Sequence, residues 1–161
     1  MRNGWLRKHS DYQRVYQEGV RRSAPLLTYF FAPQSSQPSS FDGADAPALP
    51  TRVGLTAGRV LGNAVARNRI KRRMRAAVMR HRDGLPRGMD LVLHPRAAVR
   101  HAPFAEIERD LLRAIRAVPA PEKFAAEAEK TPPRSPGAPG RRPRAKASTQ
   151  RPQAANGKPG K

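Results

Sequence analysis

The groups in this chain that could do covalent or acid–base chemistry are few and dispersed. Cysteine is absent, which removes thiolate nucleophiles, disulfides and sulfur metal ligands at once. The four histidines, His9, His81, His94 and His101, show no metal-ligand spacing and read as surface or structural groups. Asp42, Asp45, Asp83, Asp90, Glu106, Glu108 and Asp110 scatter over loops and helix surfaces without the pairing a general acid and base require. Gly58 to Asn63 does not fit a phosphate-cradling loop, which would run into Lys-Ser or Lys-Thr. What is concentrated is positive charge. Arg67, Arg69, Lys71, Arg72, Arg73, Arg75 and Arg80 lie within one short stretch, in a chain of net charge +20 and pI near 11.8. Arginine's planar fork binds phosphate oxygens in pairs, so the chemistry written here is anion binding, with no catalytic side chain and no metal ligands. A nucleic acid is the partner such a charge suits best, and an anionic membrane surface suits it less well.

That charge needs a helix to display it. From Asn63, a plausible N-cap after Gly62, to Arg82, residues Ala66, Ile70, Met74, Ala77 and Val78 fall on one stripe at 100° per residue. Asn68, Lys71, Arg72 and Arg75 lie opposite, Arg69, Arg73 and Arg80 form a second basic edge, and Arg67 sits near the seam. Like charges at i, i+3 and i+4 repel, and an anionic partner would relieve them. Gly84 and Pro86 end the helix.

The stripe needs a sheet to pack on. Leu26–Ala32, rich in β-formers and aromatics between Pro25 and Pro33, predicts a strand. Arg52–Ala57 predicts a second strand paired with the first, across the polar, variable loop 34–50. Met89–His94 predicts a third. A first helix is expected between Leu6 and Gly19, capped by Ser10 or Asp11, with Tyr12, Val15 and Tyr16 on one side. A last amphipathic helix follows Ala102-Pro103, with Phe104, Ile107, Leu111, Leu112 and Ile115 buried. The order is α-β-β-α-β-α, an α+β fold in one small domain, residues 1–118. From Pro119 onward nine of the seventeen prolines accompany Gly, Ser, Ala, Lys and Arg, which predicts a Pro-rich, basic, disordered tail over 119–161 that allows a short, weakly anchored helical turn around Phe124 to Lys130. No run of 18 apolar residues exists and the amino terminus lacks the apolar segment of a secretory signal, so a cytoplasmic location is expected.

Tyr12, Tyr16, Tyr29, Phe30 and Phe31 could all be core. Any left on an open sheet face beside arginines would form a stacking platform for unpaired bases. A DNA-binding basic helix is the weaker alternative, since neither a dimerisation heptad nor helix-turn-helix spacing is present.

Arg52-Val53-Gly54-Leu55-Thr56, Gly62-Asn63-Ala64-Val65 and Arg67-Asn68-Arg69-Ile70-Lys71-Arg72-Arg73-Met74-Arg75 together resemble the signature of the protein component of bacterial ribonuclease P. The likeness extends to Asp11–Gly19 and Asp90–Leu93, covering about residues 5 to 117. It implies a central, mostly antiparallel sheet with a left-handed βαβ crossover of the kind found in a ribosomal protein domain, where the usual hand is right. It also implies that a catalytic RNA carries out magnesium-dependent endonucleolytic removal of the 5′ leader from precursor tRNA. The Mg2+ would be held mainly by the RNA, and the protein, one per RNA, would bind that RNA and the leader. On the family pattern Arg67, Asn68, Arg69, Lys71, Arg72 and Arg75 face the catalytic RNA. Tyr12 and Tyr16 line the leader cleft, with Phe30 or, at a register one residue off, Tyr29. Arg59 stands where the family often has two lysines, but Val60 follows it, so one cation is absent or supplied by another residue. A general RNA-binding or ribosomal-type protein is the alternative, sharing the charge but lacking a leader cleft.

Overall fold

The computed structural model describes residues 4–35 and 49–130. The exposed loop expected over 34–50 therefore lies mostly outside the described residues, as does the tail from 131 onward. Four strands form one sheet in the order β1-β2-β4-β3: β1 (Val20–Ser23), β2 (Leu27–Pro33), β3 (Arg52–Leu55) and β4 (Met89–Pro95). Helix α1 (His9–Glu18) lies on one face, while α2 (Ala64–Arg80), α3 (Phe104–Ala117) and α4 (Pro121–Glu129) build the main core on the other.

Strand alternation divides the residues between these faces. Leu27, Tyr29 and Phe31 of β2 and Met89, Leu91 and Leu93 of β4 join Ile70, Met74, Ala77 and Val78 of α2 and Ile107, Leu111, Ala114 and Ile115 of α3. The Ile70 stripe is thus the buried face of α2, as its periodicity predicts. On α3, Phe104 and Leu112 are only partly covered, and Asp110 is buried instead, its carboxylate accepting the Leu26 N–H at 2.7 Å. That bond satisfies a buried charge and ties α3 to the start of β2.

The expected pairing of the second predicted strand with the first does not form. β4 inserts between them, antiparallel to β2 from Leu27↔Pro95 to Pro33↔Met89 and parallel to β3 from Arg52↔Asp90 to Leu55↔Leu93. The physical reason is burial: β4 is covered on both faces along nearly its whole length, so its continuous apolar run belongs in the centre of the sheet. The long connection from β2 to β3 carries no tight-turn signal that would force a hairpin. A hairpin does occur earlier, between β1 and β2, with Val20↔Phe31 and Ser23↔Thr28. β1 was absent from the predicted order because Arg21-Arg22 masks its alternation.

Helix ends follow partly from the residues expected to cap them. Gly62 adopts φ 105, a left-handed conformation glycine takes freely, and Asn63 Oδ1 then accepts the Ala66 N–H at 2.9 Å to cap α2. α1 instead begins after Lys8 with no side-chain cap, and Asp11, inside its first turn, faces Arg52 at 3.2 Å. α4 takes in most of the short helical turn allowed around Phe124 to Lys130 and starts earlier, within the expected tail. Pro121 opens the helix, the Phe124 ring meets Phe31 edge-on at 6.2 Å, and Glu127 pairs with Arg22. One phenylalanine is enough because it lands on a core already built.

Candidate nucleic-acid interface

The buried stripe of α2 fixes which way its cations point. Asn68, Arg69 and Arg72 are exposed and Lys71 half-buried, and among the described residues none of the four has a side-chain hydrogen bond or ion pair. Arg67 and Arg75 are more constrained. Arg67 Nη1 donates to the Gly62 carbonyl at 3.2 Å, and the Arg75 guanidinium lies 5.7 Å from the Trp5 ring centroid. At the edge of the same helix Arg73 donates to the Ala102 carbonyl, and Arg80 meets Glu108 at 3.1 Å and the Phe104 ring at 5.0 Å. The arginines near the packed side are therefore used to dock α2, while Asn68, Arg69, Lys71 and Arg72 keep their donors for an external acceptor.

On the opposite face, Val15 of α1 is fully buried against Ala32 and Val92 and holds Tyr12 and Tyr16 over the sheet. Gly54 makes this approach possible: a Cβ there would come within 2.7 Å of the Tyr12 ring. The Tyr12 hydroxyl donates to the Leu6 carbonyl at 3.3 Å. At the other end of this face Asp90, wholly buried, accepts from Arg14 and, at 2.6 Å and 2.8 Å, from Arg52. This ion cluster clamps α1 to β3 and β4, and the hydrogen bonds that Arg52 donates to Asp90 raise the Arg52 pKa.

Beyond the clamp the face carries a half-buried aromatic cluster. The Tyr16 and Phe30 rings meet edge-on at 5.1 Å, and the His94 ring lies 5.5 Å from Tyr16 and 5.3 Å from Phe30. Tyr16 Oη is 2.8 Å from His94 Nε2 and 3.3 Å from Thr56 Oγ1. Burial lowers the His94 pKa, with the nearby Arg21 charge adding to the effect, and burial raises that of Tyr16. Near neutral pH both are therefore uncharged, a wall of rings with hydrogen-bonding edges.

The structure brings Tyr12, Tyr16 and Phe30 together and removes Tyr29. Tyr29 points to the other face, stacks near Phe31 at 6.2 Å and is only 5% exposed, so alternation along β2 excludes it from the cleft. Arg59 is exposed in a single-turn helix, Arg59–Leu61, a few residues past Thr56. Sequence reasoning passed over His94, Thr56 and Arg21. The signal available was register: His94 shares the face of Val92, and Arg21 lies cross-strand from Phe30.

A family model described as Ribonuclease P matches residues 1–118. The ribonuclease P protein component of Brevibacillus brevis is 32% identical over 111 residues, spanning 69% of this chain and 79% of the relative. That of Streptomyces bikiniensis is 33% identical over 110 residues, spanning 68% and 87%. The solved ribonuclease P protein from Thermotoga maritima is similar with a TM-score of 0.60 at 21% identity, over 73% of this chain and 100% of that one. The protein from Staphylococcus aureus gives 0.56 at 22% identity, over 69% and 91%. These structures share the fold. Taken with the matched sequence and the basic helix set on a small mixed sheet, the family model's span places the chain where the motif pointed: it belongs to the ribonuclease P protein family.

Proposed function

We propose that this chain is the protein subunit of ribonuclease P, pairing with a catalytic RNA to remove the 5′ leader of precursor tRNA and generate the mature 5′ end. The observation that carries this reading is the division of the sheet: α2 with its unpaired cations packs on one face, and the aromatic cleft opens on the other. One surface suits the backbone of a large folded RNA, the other an extended, unpaired strand. Asn68, Arg69, Lys71 and Arg72 are the contacts to the catalytic RNA in this reading, with Arg67 and Arg75 at the margin of that surface. Tyr12, Tyr16 and Phe30 hold the leader, and Arg59 is a phosphate contact where the strand leaves the cleft.

Hydrolysis belongs to the RNA. In this reading the magnesium ion is held mainly by the RNA. What this chain supplies is binding and orientation. Aromatic faces stack on bases of any sequence, worth about 1–3 kcal/mol per base, which suits a subunit that meets many leaders. No helix among the described residues is long and apolar enough to cross a membrane. In this reading the protein works in the cytoplasm, one per RNA. The test is the affinity of the complex with catalytic RNA for precursor tRNA carrying or lacking its leader. Tyr16→Ala lowers affinity for the leader-bearing substrate about tenfold, as loss of one stacked base implies, and leaves the leaderless one unchanged. Equal losses on both would make Tyr16 a core residue and remove the cleft from the reading.

A further inference from the structure

The cleft contains two side chains whose placement goes beyond stacking. Arg21 sits on β1 cross-strand from Phe30, on the cleft face, because the alternation that buries Val20 turns Arg21 outward. It is exposed and, among the described residues, has no ion pair, whereas Arg22, one residue on, turns to the core side and pairs with Glu127. Its position opposite Phe30 on the same face sets it beside the aromatic cluster. His94 lies at the cleft wall with Nε2 engaged by the Tyr16 hydroxyl at 2.8 Å, and at 3.4 Å from Thr56 Oγ1. A hydroxyl and an imidazole held uncharged beside a ring face form an edge that can donate to or accept from a nucleobase.

We infer that Arg21 and His94 complete a subsite for one unpaired ribonucleotide. The base lies against Phe30 and Tyr16, its polar edge meets His94, and Arg21 takes the adjoining phosphate. The inference rests on the cleft being the leader site. It also makes the cleft more than a stacking platform, since a hydrogen-bonding edge distinguishes bases where ring faces do not.

The experiment uses the full chain assembled with its catalytic RNA and measures affinity for precursor tRNAs with single-base changes through the leader, and for the leaderless form, at several salt concentrations. Arg21→Ala is expected to weaken leader-bearing substrates five- to tenfold, to lower the salt slope by about 0.7, the value for one phosphate on a single strand, and to leave the leaderless form alone. Arg21→Lys restores most of the slope. His94→Ala is expected to flatten the differences among leader bases by threefold or more at one position, with thermal melting verifying that both variants fold. An unchanged slope in Arg21→Ala, or base preferences untouched in His94→Ala, overturns the subsite. A parent complex that binds leader-bearing and leaderless substrates equally well overturns the leader reading of the cleft itself, independently of either variant.

Discussion

At the scale of single residues, orientation separates function from packing. Arg69 and Arg72 point away from the Ile70 stripe, so Arg69→Ala is expected to weaken binding to the catalytic RNA by about 1.5 kcal/mol, as loss of a hydrogen bond to a charged group implies, with an unchanged melting temperature. A gel-shift titration beside a thermal melt reads both. His94 makes a pH-dependent contribution to stability. Its folded pKa lies below the unfolded value of 6.5, so the unfolded chain binds more protons just below that pH. The contribution is full above pH 6.5 and is lost as pH falls through 6.5 toward the folded pKa. Thermal melts from pH 7.5 to 5 are expected to drop more steeply for the parent than for His94→Gln, and parallel curves would contradict this. The tyrosines illustrate what a sequence holds at this scale. Alternation says that Tyr29 and Phe30 face opposite ways, but which face has a helix over part of it and a cleft over the rest depends on where α1 lands. His94 looked inert because its neighbours Tyr16 and Thr56 come from elements distant in the chain.

At the scale of elements, two contacts fix the site. The Asp90 cluster joins α1, β3 and β4, and Asp90→Ala leaves Arg14 and Arg52 without their buried partner. The expected loss is about 3 kcal/mol in urea denaturation, the range for breaking a buried pair by removing one member. A loss below 1 kcal/mol would mean that water replaces the carboxylate. α4 is the second, and Phe124→Ala is expected to lower stability by about 1.5 kcal/mol through lost apolar burial, read from the same denaturation curves, without altering RNA affinity. The helices α1, α2 and α3 and the strands β2, β3 and β4 were legible because each carries its own period and punctuation. The pairing of β3 with β4 was not, since strand order is decided by which strand can be covered on both faces. Nor was α4, whose nine residues are weakly helical alone and gain their anchor only from Phe31.

At the scale of the whole molecule, the net charge of +20 names a polyanion but no reaction, and the sheet gives that charge a direction. One face carries α2, whose Arg69, Lys71 and Arg72 pair with no described acidic side chain, the other an aromatic cluster beside Arg21. In the function proposed above, a chain so built acts by holding one RNA against another. The most direct measurement is cleavage of precursor tRNA at low magnesium by this chain alone, by the catalytic RNA alone and by the two together. The account predicts no cleavage by the chain alone, slow cleavage by the RNA alone, and rapid release of the intact 5′ leader by the complex at a magnesium concentration that does not support the RNA. Cleavage by the chain alone, or a magnesium requirement unchanged by its addition, would contradict it.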